Sequence, residues 1–600
     1  MIKTSLKFQN ALLIFIFSNV FIFSSELNKS FTLPKILLLY LFSFFCILYL
    51  ILYIFPTYKL KNVRLWIIPI VFLSIHLFQT ITSDNAYLAL FGTYGRFTGF
   101  LFWLSIFVLM FTSAITFEGG KTLVNMLILV GTCLTGYCIL QYFDSDLVIK
   151  SSSYKLIGTL GNPNYVSTLL GVVSILVAWK ITQTQNNLVN IGLAFVFIST
   201  LFVVRNSESS QGLFIFLVCI LFFVGMRLFF SSKKFGTIFF LFYILFIVIG
   251  IFGLLQRGPL AQLLYQYSIS LRGDYWRVAI SMFKSNLFTG IGIERYGIEF
   301  QKYRDATAAL RSSASLTDDP HNEILYFLSS GGIPLTFSYV LVLVLVLLTS
   351  IYGLRNTNLQ NRDHILILLT AWIGFRIESL ISVNQVTNNV IEWIIAGTLI
   401  ALSIDLKIAK VRKQDKIRVN NFKNRSLKTL VILSSTVIFS LMILLPKLRA
   451  DLNYSNYNKN LVSGMSRETL TEKKAIILEA IKQSPQEFIY RDVATRFMIN
   501  TNDLQNARVL VDSLVRLDSD YYSSYELEAE IFEREGNLEA ATNSRLKAFS
   551  IDPYDIPNII SLRRLYISLN NTEELSKIQN YLKELDLNPD LINKYGVDIK

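Results

Sequence analysis

Histidine is nearly absent from this 600-residue chain, with three copies at positions 76, 321 and 364. Cysteine is almost as scarce: Cys46, Cys133, Cys138 and Cys219 all lie in apolar runs and none follows residue 450, which excludes a disulfide framework. Cys133 and Cys138 stand five apart within one apolar run, where packing explains them better than a metal. Charged residues make up only 16% of the chain against 52% hydrophobic residues, and mean hydropathy is +0.47. That balance excludes an ordinary soluble globular protein. A cleavable leader is not expected either, since the first apolar run begins near Phe8 without a clear small-residue cleavage site.

What is present is apolar, aromatic and unevenly charged. Forty-seven phenylalanines and 29 tyrosines suit lipid contact and interfacial belts. The net charge of +14 divides into +20 over residues 1–450 and −6 over residues 451–600. Because the positive charge falls mainly in loops flanking apolar runs, membrane topology accounts for it and nucleic acid is excluded as a partner.

Apolar stretches long enough to cross a bilayer as helices lie near 8–25, 33–55, 64–82, 97–117, 121–143, 164–182, 188–204, 211–230, 235–255, 322–352, 363–383, 389–406 and 427–445. These predict an all-α, polytopic membrane bundle of about 12–13 spans. Lys59, Lys61 and Arg64, then Arg227, Lys233 and Lys234, then Arg355 and Arg362 fall on one side of the alternating spans. The run Lys407, Lys410, Arg412, Lys413, Lys416, Arg418, Lys423, Arg425 and Lys428 joins them there, marking the cytoplasmic face. The loop over 256–322 and everything after the last span are then expected outside.

Beyond Pro446 the apolar runs stop. Ser484-Pro485, Asp518-Ser519 and Asp552-Pro553 recur every 34 residues, the period of a tetratricopeptide helix pair. The expected divisions are 1–60 as N-terminal spans, 61–406 as membrane core, 407–450 as basic cytoplasmic loop and final span, and 451–600 as soluble α-helical repeats. Arrays of this kind present a concave surface, so a protein partner for the repeats is conceivable.

The 256–322 loop is the richest in chemistry. It holds Arg272, Arg277, Lys284, Arg295, Lys302, Arg304 and Arg311, and ends in Asp319-Pro320-His321-Asn322-Glu323. His76 lies inside an apolar run and His364 follows Arg355 and Arg362, so His321 is the single imidazole of a large polar loop. A base among cations beside a membrane fits chemistry on a lipid-linked anion. Pro320 is expected in the first helical turn, aiming His321, and Asp319 or Glu323 to orient the ring or cap the helix.

Four segments carry a resemblance to the O-antigen ligase and polymerase superfamily of bacterial membrane glycosyltransferases, across most of residues 60–405. They are Gly92-Thr93-Tyr94-Gly95-Arg96-Phe97-Thr98-Gly99, Gly158-Thr159-Leu160-Gly161-Asn162-Pro163-Asn164, Arg272-Gly273-Asp274-Tyr275-Trp276 with Thr289-Gly290-Ile291-Gly292, and Pro320-His321-Asn322-Glu323 with Gly331-Gly332-Ile333-Pro334. The resemblance implies transfer of a glycan from an undecaprenyl-diphosphate carrier to an acceptor hydroxyl, without metal or cofactor. The acceptor would be a lipid, a growing glycan or a protein, with membrane lipids around the core. It also implies catalytic roles for His321, as base, and Arg272, at the leaving diphosphate. Arg96, Arg205, Asn162 and Asn164 would contact diphosphate or glycan. Arginine suits a diphosphate because its planar fork meets two oxygens at once. In one departure, Ser210-Gln211-Gly212 stands where relatives carry Ser-Arg-Gly, with Arg205 as the nearby replacement. The acidic pairs Asp144-Ser145-Asp146 and Asp518-Ser519-Asp520 are too common a pattern to indicate a metal. A flippase for lipid-linked glycans is the reading from another class, although the chain lacks the paired broken spans of many transporters.

Overall fold

A computed structural model describes residues 2–585 and Leu587, apart from residues 57, 118, 145–155, 255–256, 260, 265–266, 312–315, 405, 407–408, 411–421 and 460–465. Ser145, Asp146, Lys407, Arg412, Lys413, Lys416 and Arg418 lie outside the described residues. The fold is an all-α helix bundle. Its helices start where the sequence supplies caps: Asn85, Asn162, Asn186, Asn322, Asn358 and Gln385 each accept a first-turn N–H on the side-chain oxygen.

Among the described residues, ten helices are long and apolar enough to cross a membrane. Two further expected spans form the shorter apolar helices Phe8–Phe21 and Phe100–Thr116. The stretch expected at 363–383 forms Leu359–Ser379, which carries the charged residues Arg362, Asp363, Arg376 and Glu378. At the centre the helix Val386–Ser403 is buried on every face. Gly397 lets the Phe100–Thr116 helix approach closely, since a Cβ there would stand 2.0 Å from the Met110 carbonyl oxygen. Phe72, Trp103, Phe327, Tyr339 and Trp393 fill the core between these helices.

The long apolar run after His321 is expected as one continuous span and is instead broken. Within Glu323–Asn356, Gly332 takes φ 66° and ψ −163°, two residues before Pro334. The missing proline N–H and the glycine kink free carbonyls that would be costly if left bare. The segment 287–292 satisfies them: the Ile291 and Gly292 amides donate to the Ser329 and Ser330 carbonyls at 2.9 and 3.1 Å, and the Ile333 amide donates to the Leu287 carbonyl at 2.9 Å.

Basic loops gather at the opposite end. Tyr58–Lys59 pairs antiparallel with Ala409–Lys410, and Lys428 donates to the Leu52 carbonyl at 2.9 Å. Arg227 bonds Asp363 at 3.1 Å, while Arg362 lies over the Phe230 ring. The helices of the tail recur in register. One set begins at Phe488, Tyr522 and Ile556, its partners at Leu504, Leu538 and Thr572, each 34 residues after the last. The turn inside each pair contains one left-handed residue, Asn502, Gly536 and Asn570, on the same period. This makes three helix pairs on one period.

Candidate functional site

Five of the residues singled out from sequence meet in one cavity of about 260 Å³. Arg96, Asn162, Asn164, Arg272 and His321 line it, together with Tyr165, Leu271, Tyr275, Ser382 and Val383. They arrive on different structural devices, except that Asn162 and Asn164 share one helix start.

His321 sits just ahead of the broken helix, whose cap is Asn322, so Pro320 is not in the first helical turn. The histidine itself is left-handed at φ 57°, a conformation that costs a β-carbon residue energy and tends to persist where function requires it. Its amide donates to the Asp319 carboxylate at 2.6 Å, and its Nδ1 lies 3.0 Å from the Asp319 carbonyl oxygen. A carbonyl only accepts, so Nδ1 carries the proton and Nε2 of the neutral ring holds a lone pair. Burial, reinforced by the charges of Arg96 and Arg272, lowers His321 to about 4 and keeps the ring neutral. Burial likewise pushes the Asp319 carboxyl up to about 7. The Tyr275 ring packs beside the imidazole with centroids 5.3 Å apart.

Asp319 thus orients the ring through its backbone carbonyl, and its carboxylate fixes the chain. Glu323 does neither. Its carboxylate accepts from Arg376 at 2.6 Å and from the Tyr339 hydroxyl, inside the bundle.

Arg272 stands on the helix Tyr267–Ser285, half-buried, with no carboxylate partner among the described residues. Desolvation lowers its pKa, as expected for a guanidinium without a counter-ion. Arg96 differs. Asp318 grips its fork with Nε 3.0 Å and Nη2 2.9 Å from Oδ1, and Nη1 lies 3.5 Å from the Tyr165 hydroxyl. Burial works against the Arg96 charge, but Asp318 more than offsets it and raises the pKa. Of these two guanidinium groups, Arg272 is therefore the one without a carboxylate partner among the described residues.

Asn162 and Asn164 open the helix Pro163–Gln183, where the Asn162 side chain accepts the Asn164 amide at 2.9 Å. The first turn of a 21-residue helix at the cavity wall adds amide dipoles of the sign that favours phosphate. Arg205 is not brought in. It lies exposed near the end of Asn187–Asn206, and both amide atoms of buried Gln211 lack a partner among the described residues.

Residues 173–340 match the family model described as O-antigen ligase. Over this stretch the chain is similar to the O-antigen ligase family. No curated protein matches it. The family supports a multi-pass, glycosyltransferase-like membrane enzyme of ligase or polymerase type, acting on a lipid-linked glycan. Arg272 and His321 fall inside the matched stretch of this O-antigen ligase-like core, whereas Arg96, Asn162 and Asn164 reach the cavity from outside it.

Two residues at the site escape a sequence reading. Asp318 is adjacent to a recognised motif, but its partner lies 222 residues away. Glu294 is a hub: it accepts from the Thr93 amide at 2.8 Å, the Thr98 hydroxyl at 2.8 Å and the Tyr326 hydroxyl at 2.6 Å. It thereby ties the Arg96 loop to the start of the broken helix. The acidic pair Asp518 and Asp520 is engaged by Arg295 at 2.7 and 3.1 Å.

Proposed function

We propose that the protein moves a preassembled glycan from a polyprenyl (undecaprenyl) diphosphate to an acceptor hydroxyl at the outer side of the cytoplasmic membrane. The observation that supports this reading is the convergence in one cavity of a neutral imidazole and a guanidinium without a carboxylate partner among the described residues. The acceptor oxygen attacks the anomeric carbon as the bond to the diphosphate oxygen breaks. The hydroxyl proton passes to His321 Nε2, and the departing diphosphate takes the electron pair and rests against Arg272. Direct attack opposite the leaving group inverts the anomeric centre. Asn162 and Asn164 bind glycan or phosphate, and the chemistry requires no divalent ion.

Lipid, growing glycan and protein hydroxyls remain alternatives as acceptors on the same core, and the tail is read as tetratricopeptide-type repeats. The reading from another class is a flippase. Purified protein given a lipid-diphosphate glycan and acceptor in detergent micelles separates the two. A transferase forms a new glycosidic product there, with EDTA present and without two compartments. Turnover only between the leaflets of sealed vesicles would identify a flippase.

A further inference from the structure

The row of turns that recurs along the tail faces the chain's own outer segment. Ser484, Asp518 and Asp552 occupy the same place in successive units, at the end of one helix before the next pair begins. The Ser484 hydroxyl lies 2.9 Å from the Tyr87 hydroxyl. Asp518 bonds Arg295 at 2.7 Å, and Asp552 is paired with Arg304 and accepts from Gln301 at 3.1 Å. Arg295, Arg304, Asp518 and Asp552 are all buried. Apolar contacts follow the same line, with Tyr94 and Ile298 packed on one tail core and Leu310 on another.

These contacts end one residue from the hub. Arg295 points to the tail, while the neighbouring Glu294 holds Thr93 and Thr98 on either side of Arg96. Arg96 in turn grips Asp318, three residues before His321.

We propose that the helical tail acts in cis as a positioning element, its turn row holding residues 295–304 so that Glu294 keeps the Arg96 loop and the His321 turn in register. Arg295, Arg304, Asp518 and Asp552 are then positioning residues that touch no substrate, and this docking face is occupied by the chain itself and not by an outside partner. The proposal rests on the transferase reading above.

The test uses the full-length protein in micelles, with Arg304→Asp, Asp552→Arg and the paired reversal. Each single reversal sets like charges in a buried contact. It is expected to lower kcat about ten-fold or more with donor KM changed far less, because misplacing reacting groups costs rate before binding. Amide exchange at Thr93, whose N–H is bonded by Glu294, is expected to speed up in the single variants. The paired reversal is expected to recover both. Single variants with parental kcat, or with faster exchange confined to 296–303, overturn the coupling. His321→Ala is assayed alongside. Its retention of transfer would remove the proposed base, while exchange at Thr93 still reports on the coupling.

Discussion

In His321, Nδ1 is committed to the Asp319 carbonyl at 3.0 Å, which leaves Nε2 as the nitrogen for the proposed proton transfer. With its pKa lowered to about 4 from 6.5 by burial, the ring is neutral across the physiological range. Activity that needs the neutral ring should therefore be lost as pH falls, and late. In a donor-dependent kcat/KM profile, which reports the free enzyme, the rate is expected to stay level through pH 6.5 and to fall only on approach to about 4. An acid limb centred at 6.5 would show an ordinary, solvated histidine. At Arg272, the fork matters as well as the charge. Arg272→Lys is expected to lose transfer by about a hundred-fold, nearly as much as Arg272→Ala, as for removal of a donor from a developing anion. Recovery of most of the rate by lysine would contradict that. Both residues were legible in the sequence because a lone histidine and an arginine motif sit in a polar loop. The roles of Glu294 and Asp318 were not, since a carboxylate's meaning lies in partners about 200 residues distant.

At the scale of elements, the broken helix is what presents His321 to the cavity. Hydropathy revealed a span here but not the break, because Gly332 and Pro334 interrupt backbone geometry without interrupting apolar character. The inserted segment 287–292 depends on Gly290 at φ 63°, where a Cβ would stand 2.4 Å from the Ser329 carbonyl oxygen. Gly273, in the Arg272 motif, lies inside a helix with no described atom within 4 Å of such a Cβ. Gly290→Ala is therefore expected to destabilise by about 1–3 kcal/mol through strain at a left-handed site. Gly273→Ala is expected to be neutral or mildly stabilising, since alanine is preferred inside helices by roughly 0.5–1 kcal/mol. Thermal unfolding in detergent compares them; equal shifts would mean that the Gly290 insertion does not hold the helix. The helix pairs of the tail were readable because turn chemistry repeats every 34 residues.

Across the whole molecule, the division of charge into a basic body and an acidic tail takes on a use. Acidic turns of the tail meet arginines of the 256–322 loop in buried pairs. Removing one partner of such a pair typically costs about 3–5 kcal/mol, because the other charge is left buried and unpaired. Counting spans in the sequence leads to the expectation that loop and tail share one side of the membrane. The sequence left the docking face open to an outside partner, because periodicity shows that a row of turns exists and not what it meets. The claim on which everything depends is that His321 performs proton transfer on a donor held by Arg272. It is tested most directly by measuring donor binding and product formation on the same purified His321→Ala and Arg272→Ala proteins. His321→Ala is expected to bind the lipid-diphosphate glycan with near-parental affinity and to form no product, whereas Arg272→Ala loses both. Product formation by His321→Ala at the parental rate would contradict the account.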